Sequence, residues 1–302
     1  EAPAGFLLTA SHSDSPCFRL RDHAELTGEY IRLSAERYGG MINDSWLDRP
    51  LSVAGRVLVR REGGLEARLV DLKRDVALIP RVAIHLNRET NSGVKYDPAR
   101  DLVALYAAGT GSGSFYREVA RTADCAPEDV VAGDLVLYNN QPGTVWGAEG
   151  EFVSAPRLDD LACVFACAEG FLTAQERDMV PVLCVFDNEE IGSETKQGAA
   201  SVFLPETLAA ISEALGPSAA DHRALLADSM MLSCDSGHAR HPNHPELADT
   251  NEAPVLNGGV VVKHSPRYAT DGVSTAVFTE LCRRAEVPVQ HYANRPDQRG
   301  GA

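Results

Sequence analysis

Three short apolar runs along the chain each end on acidic or imidazole side chains. Gly5 to Ala10 leads into Ser11-His12-Ser13-Asp14, Val180 to Phe186 into Asp187-Asn188-Glu189-Glu190, and Ser229 to Cys234 into Asp235-Ser236-Gly237-His238. Near-continuous apolar runs of this length predict strands covered on both faces, hence a parallel or mixed sheet. In open α/β sheets functional groups gather beyond the carboxyl ends of strands, so three strands ending this way point to one shared site. Between the runs the pattern turns helical. Leu161, Val164, Phe165 and Ala168 follow i, i+3, i+4, i+7, with Asp159 and Asp160 at the N-terminal end, where acids complement the helix dipole. Thr270-Asp271 likewise predicts a helix start, continuing through Val273, Val277, Leu281 and Cys282.

Residues 26–151 have another texture. Leu51 to Arg60 and Leu65 to Leu72 are β-rich runs joined by Glu62-Gly63-Gly64, a hairpin signal. Further short strands and Gly-rich turns follow, including Gly109 to Ser114. The expected fold class is α/β: a mixed-sheet core formed by residues 1–25 and 152–302, interrupted by an inserted β-rich domain over 26–151.

The 302 residues suffice for a large core, and 44% hydrophobic with 24% charged residues describes an ordinary globular chain. A net charge of −15 argues against nucleic acid, which needs a basic face. No apolar run approaches the roughly 18 residues that span a bilayer, and no signal peptide is evident. The chain opens at Glu1 on an apolar run with no initiator Met, as a piece of a longer protein would. The cysteines at 17, 125, 163, 167, 184, 234 and 282 sit mostly inside apolar runs, which fits reduced thiols and a cytoplasmic location.

Four places carry candidate chemistry. In His12-x-Asp14 both side chains project to one side of an extended segment, so the carboxylate can orient the imidazole as a ligand; the competing reading is a solvated loop. Asp159-Asp160 offers a carboxylate able to bridge two cations, or simply a helix cap. Glu189-Glu190 at the end of a buried strand would repel each other without cations or proton sharing. One division of labour has Glu190 bind metal while Glu189 serves as general base. Asp235 ends its strand like the other ligands, with His238 and His241 as supporting candidates. Gly-x-Ser-x-Gly, P-loop, Gly-x-Gly-x-x-Gly and His-Glu-x-x-His patterns are absent, which excludes those chemistries but not a carboxylate-rich dinuclear site.

Taken together, Ser11-His12-Ser13-Asp14-Ser15-Pro16-Cys17, Pro156-Arg157-Leu158-Asp159-Asp160-Leu161 and Phe186-Asp187-Asn188-Glu189-Glu190-Ile191-Gly192-Ser193 resemble the hallmark segments of the M18 aminopeptidases, the aspartyl aminopeptidase family. Ser45-Trp46-Leu47-Asp48-Arg49-Pro50-Leu51, Ala83-Ile84-His85-Leu86, His238-Ala239-Arg240-His241-Pro242-Asn243 and Arg267-Tyr268-Ala269-Thr270-Asp271 add to the likeness, all in family order.

The resemblance implies a zinc-peptidase catalytic domain with an inserted dimerisation domain, and dimers assembled into a homo-dodecamer that acts on peptides. It implies two zinc ions per subunit, with cobalt or manganese as alternatives, since carboxylates and imidazole suit all three. His12, Asp159 and Asp235 would hold one ion, with Asp159 bridging; Glu190 would bind the second, Glu189 would be the base, and Asp14 would orient His12. His85 would reach a neighbouring subunit's site, and Lys263, Tyr268 and His238 would contact substrate. Two departures stand out. The family has Asp-Asn at Asp159-Asp160, a change outside the bridging position. Its last ligand is a His in a C-terminal Met-His segment, where this chain stops at Arg299-Gly300-Gly301-Ala302. The expected function is removal of N-terminal residues, with a preference for Asp or Glu left open; a related amidohydrolase and a non-catalytic assembly protein are the alternatives.

Overall fold

The apolar run at Gly5 becomes the central strand of a parallel sheet. β1 (Gly5–His12) is buried along most of its length, the pattern expected of a strand covered on both faces. After it the chain builds a seven-stranded sheet from β2 (Cys17–Leu26), β3 (Tyr30–Tyr38), β4 (Pro50–Arg61), β5 (Gly64–Asp71), β6 (Ala77–Leu78), β7 (Ala104–Ala108) and β8 (Val130–Tyr138). Two helices, α1 (Pro98–Asp101) and α2 (Ser114–Thr122), lie in its connections. The strand order is β5-β4-β6-β7-β3-β2-β8, all antiparallel, and β8 also pairs with β4. The ladder from β4 round to β8 therefore closes on itself, which leaves few free edges. Its interior is a continuous apolar core that includes Phe18, Leu33, Val53, Val57, Leu137 and, from α2, Phe115. The expected hairpin is β4–β5, with Gly63 supplying the positive φ of 95° that the turn requires. β2, which starts ahead of residue 26, is a member of this sheet.

The short antiparallel ribbon β9 (Thr144–Trp146) with β10 (Phe152–Ser154) leads to α3 (Leu158–Thr173). There follow β11 (Met179–Phe186), α4 (Phe203–Leu215), α5 (Ala219–Ala227) and β12 (Met230–Ser233). β1 pairs in parallel with β11 on one side and β12 on the other, in the register His12 to Phe186 and Ala10 to Ser233. Phe6, Leu8 and Ala10 of β1 pack with Cys184, Phe186, Leu208 and Leu225 into a second core. Further on, β13 (Val260–His264) and β14 (Val289–Ala293) form a parallel pair joined by α6 (Gly272–Arg284), the right use of a helical crossover. Asp271 and Ser274 cap α6 reciprocally, each side chain accepting the other's backbone N–H at 2.8 Å.

The computed structural model describes residues 3–109, 111–175, 178–216 and 218–297, and the chain divides into two compact units, Glu1–Cys234 and Asp235–Ala302. The C-terminal stop at Arg299–Ala302 lies outside the described residues. The architecture is α/β with mixed sheets, as the alternating apolar and helical patterns predict. All seven cysteines are free. Among the described residues no helix is long and apolar enough to cross a membrane.

Candidate metal centre

Parallel pairing brings the C-terminal ends of β1 and β11 level, because His12 is in register with Phe186. His12 therefore stands beside the turn that carries Glu189 and Glu190. The imidazole is 4% exposed. Its Nδ1 lies 3.2 Å from Asp14 Oδ1 and 3.0 Å from the Asp14 carbonyl, both acceptors, which places the ring proton on Nδ1. Nε2 is left facing Asp159 Oδ1 at 3.4 Å and Glu189 Oε2 at 3.8 Å. An imidazole whose second nitrogen is tied to a carboxylate is the arrangement that fixes a metal-binding tautomer.

The acids gather around that ring. His12, Asp159 and Asp160 each offer one ligand atom within 4.8 Å of the others, and so do His12, Glu189 and Glu190. Burial and the neighbouring Glu189 and Asp159 push the Glu190 carboxyl up to about 7. For His12, burial pulls the pKa down, but Glu189, Asp160, Asp14 and Asp159 together outweigh it and raise the value. One imidazole among five carboxylates is an excess of negative charge that cations would neutralise. The donor set, imidazole nitrogen plus carboxylate oxygens, fits zinc.

Asp14 sits at the middle of this arrangement rather than at its edge. Its Oδ1 accepts the Glu189 N–H at 3.2 Å as well as facing His12, and its Oδ2 accepts the Glu190 N–H at 3.1 Å and the Tyr38 hydroxyl at 2.7 Å. The turn stays tight because Asn188 adopts a left-handed φ of 65°.

Asp159 and Asp160 depart from the helical reading. Both have non-helical backbone angles, the peptide bond between them is cis, and regular helix begins only after them. Asp160 is fully buried, and its Oδ2 accepts the His12 N–H at 3.2 Å. The Asp-for-Asn departure thus falls on a residue inside the cluster. The Tyr38–Asp14 bond and the hold of Asp160 on the His12 backbone are contacts that sequence reasoning does not reach.

The remaining expected residues stand as follows. Asp235 opens the second unit directly after Cys234, whose N–H donates to the Ala10 carbonyl at 2.7 Å. Its Oδ2 accepts from Lys263 Nζ at 2.5 Å, and Lys263 also donates to the Ser236 carbonyl at 3.1 Å. His238 is exposed and meets the edge of the Tyr292 ring, centroids 5.1 Å apart. Tyr268 is half-buried in the turn after β13, its N–H donating to the Ser265 carbonyl. His241 is exposed. His85 is exposed in the turn after β6.

A cavity of about 1260 Å³ opens beside the cluster, lined among others by Asp14, Asp159 and Asn188 and by Arg19, Arg56 and Lys196. The whole chain, residues 1–302, matches the model of the aminopeptidase I zinc metalloproteases. A probable M18 family aminopeptidase 2 of Clostridium acetobutylicum is 41% identical over 313 residues, covering all of this chain and 72% of that protein. The solved structure of the Ape4 and Nbr1 complex superposes with a TM-score of 0.94 at 30% identity, covering 100% of this chain and 63% of that one. The chain thus spans less than two thirds of that solved chain. The S. cerevisiae mApe1 dodecamer matches with a TM-score of 0.82 at 31% identity, covering 96% of this chain and 68% of that one. A buried imidazole ringed by carboxylates and a family match over its full length agree: this chain belongs to the M18 family of zinc metalloproteases.

Proposed function

We propose that the protein is a zinc-dependent aminopeptidase that hydrolyses the N-terminal residue of peptides. His12, Asp159 and Asp235 would hold one ion and Asp159 and Glu190 the second; cobalt or manganese would suit the same donors. The observation that carries this reading is the crowding of carboxylates on His12, whose Nε2 faces Asp159 and Glu189 while Asp14 secures Nδ1. When bound, the ions supply a Lewis acid that polarises the scissile carbonyl and acidifies water near neutral pH.

The chain's own residues do the rest. Glu189, with 31% of its side chain exposed, is open to solvent while staying near the cluster. Its carboxylate takes a proton from the attacking water as the water oxygen bonds to the carbonyl carbon. It then returns that proton to the departing amine as the C–N bond breaks. Asp14 keeps His12 in one tautomer and holds the Glu189-Glu190 turn through two backbone N–H groups. Lys263, Tyr268 and His238 are proposed to contact substrate, with His85 contributed by a neighbouring subunit. A preference for acidic N-terminal residues would require Lys263 to offer its ammonium to substrate, yet Asp235 engages it at 2.5 Å. A panel of Asp- and Leu-terminated peptides decides that point.

Likeness to the mApe1 dodecamer supports a homo-oligomer; its assembly from dimers through residues 26–151 as the dimerisation domain is part of the same proposal. Seven free thiols support a cytoplasmic setting. The deciding variant is Glu189→Gln: turnover should vanish while zinc content stays at the wild-type level. Zinc lost together with activity would make Glu189 a ligand and overturn its role. Cleavage by the wild type of acetylated but not free peptides would make the protein an amidohydrolase instead.

A further inference from the structure

Tyr38 lies at the end of β3, in the closed seven-stranded sheet, outside every motif that points to the metal centre. Its hydroxyl nevertheless donates to Asp14 Oδ2 at 2.7 Å, the shortest of the four contacts on that carboxylate. The other three, at 3.1–3.2 Å, come from His12 and the Glu189-Glu190 turn. Such lengths are at the long end for charge-assisted bonds, so the short one does most to set how the carboxylate is turned. The next residue leaves no room for a side chain beside Glu190. Gly39 has φ of +81°, and a Cβ placed on it would stand 3.0 Å from Glu190 Cβ and 3.3 Å from Glu190 Oε2. Tyr38 at the end of the closed sheet and Gly39 just beyond it therefore both bear on the side chains proposed to hold and activate the metals.

We propose that Tyr38 is a positioning residue of the catalytic centre: by fixing Asp14, it makes the seven-stranded sheet part of the framework that orients His12 and the Glu189-Glu190 turn. The inference rests on the metallopeptidase reading above. Without the hydroxyl, Asp14 Oδ2 keeps only the Glu190 N–H, and the carboxylate can pivot away from His12 Nδ1. Residues that orient a ligand through a carboxylate typically cost about 10–100-fold in metal affinity or activity when lost.

The test is Tyr38→Phe in the full-length protein, read by zinc affinity in chelator competition, by kcat and KM, and by thermal unfolding of the stripped protein. Zinc binding should weaken about 10–100-fold, and kcat should fall with KM nearly unchanged. The stripped protein should lose no more melting temperature than stripped Tyr106→Phe does. Tyr106→Phe is the control: it removes an equally short hydroxyl–carboxylate bond, to Glu118 at 2.7 Å, from the same sheet, and should leave zinc binding alone. Zinc affinity and kcat within twofold of wild type in Tyr38→Phe would overturn the proposal, as would an equal loss in Tyr106→Phe. A wild-type protein that neither binds zinc nor cleaves peptides would sink the metallopeptidase reading and this inference with it. An active, zinc-binding wild type beside an unaffected Tyr38→Phe sinks this inference alone.

Discussion

Replacing Asp14 by Asn separates its charge from its shape. The side chain is 6% exposed and faces four groups: His12 Nδ1, the Glu189 and Glu190 N–H groups, and the Tyr38 hydroxyl. An amide has one acceptor oxygen where the carboxylate has two. With that oxygen toward His12 and Glu189, the NH₂ meets the Glu190 N–H donor to donor, and only the Tyr38 hydroxyl can rotate to accept. In the flipped orientation the NH₂ meets the Glu189 N–H, and His12 must accept on Nδ1, which moves its proton to Nε2 and blocks the metal-facing nitrogen. Either way at least one bond to a charged group is lost, about 1.5–3 kcal/mol. Removing a negative charge from the carboxylate cluster works the other way in stripped protein, because it relieves repulsion. The loss should therefore be small without metal and fully expressed with it. Zinc affinity measured against a chelator should fall about 10–100-fold, or roughly 1.4–2.8 kcal/mol, in line with the lost bond. Melting of stripped Asp14→Asn should differ little from wild type, while the zinc-loaded forms should separate clearly. Zinc affinity within twofold of wild type, or an equal drop in both melting temperatures, would refute the reasoning.

Two further outcomes concern the closed sheet. Phe115 is fully buried and meets Tyr106 and Tyr116 edge-on, with centroids 5.5 and 5.2 Å away, so Phe115→Ala should cost about 3–5 kcal/mol in urea unfolding. A loss under about 1 kcal/mol would mean that the site collapses around the cavity. For Glu118, burial pushes the carboxyl pKa up, but bonds from Tyr106 and Arg74 and the charge of Arg121 outweigh it and hold the group below its ordinary 4.5. A depressed carboxylate contributes stability above its unfolded value and loses it as pH falls through the folded one. Glu118→Gln should therefore lie about 1–2 kcal/mol below wild type at neutral pH, and the gap should begin to shrink as pH falls below the ordinary carboxyl value and go on shrinking as acid protonates the folded carboxylate. A gap that stays constant all the way to acid unfolding would exclude this origin.

What the sequence determined by itself was everything written in local pattern. The apolar runs at Gly5, Val180 and Met230 read as strands, the Glu62-Gly63-Gly64 signal as a hairpin, and Asp271 as the start of α6; all of these formed, although only the first strand is buried along most of its length and the one at Met230 is largely exposed. The acids at strand ends were legible for the same reason: a parallel sheet puts carboxyl ends on one side, so residues 12, 189 and 190 had to meet once β1 and β11 paired. Tertiary structure alone decided the rest. Whether Asp159 and Asp160 open a helix or stand outside it depends on the His12 backbone that Asp160 must satisfy, 148 residues away. Nothing near Tyr38 in the chain hints at Asp14, because their contact exists only where the closed sheet comes back against the strand it follows. Periodicity records which face of an element is apolar; it holds no record of which distant polar group will fill a particular hydrogen bond.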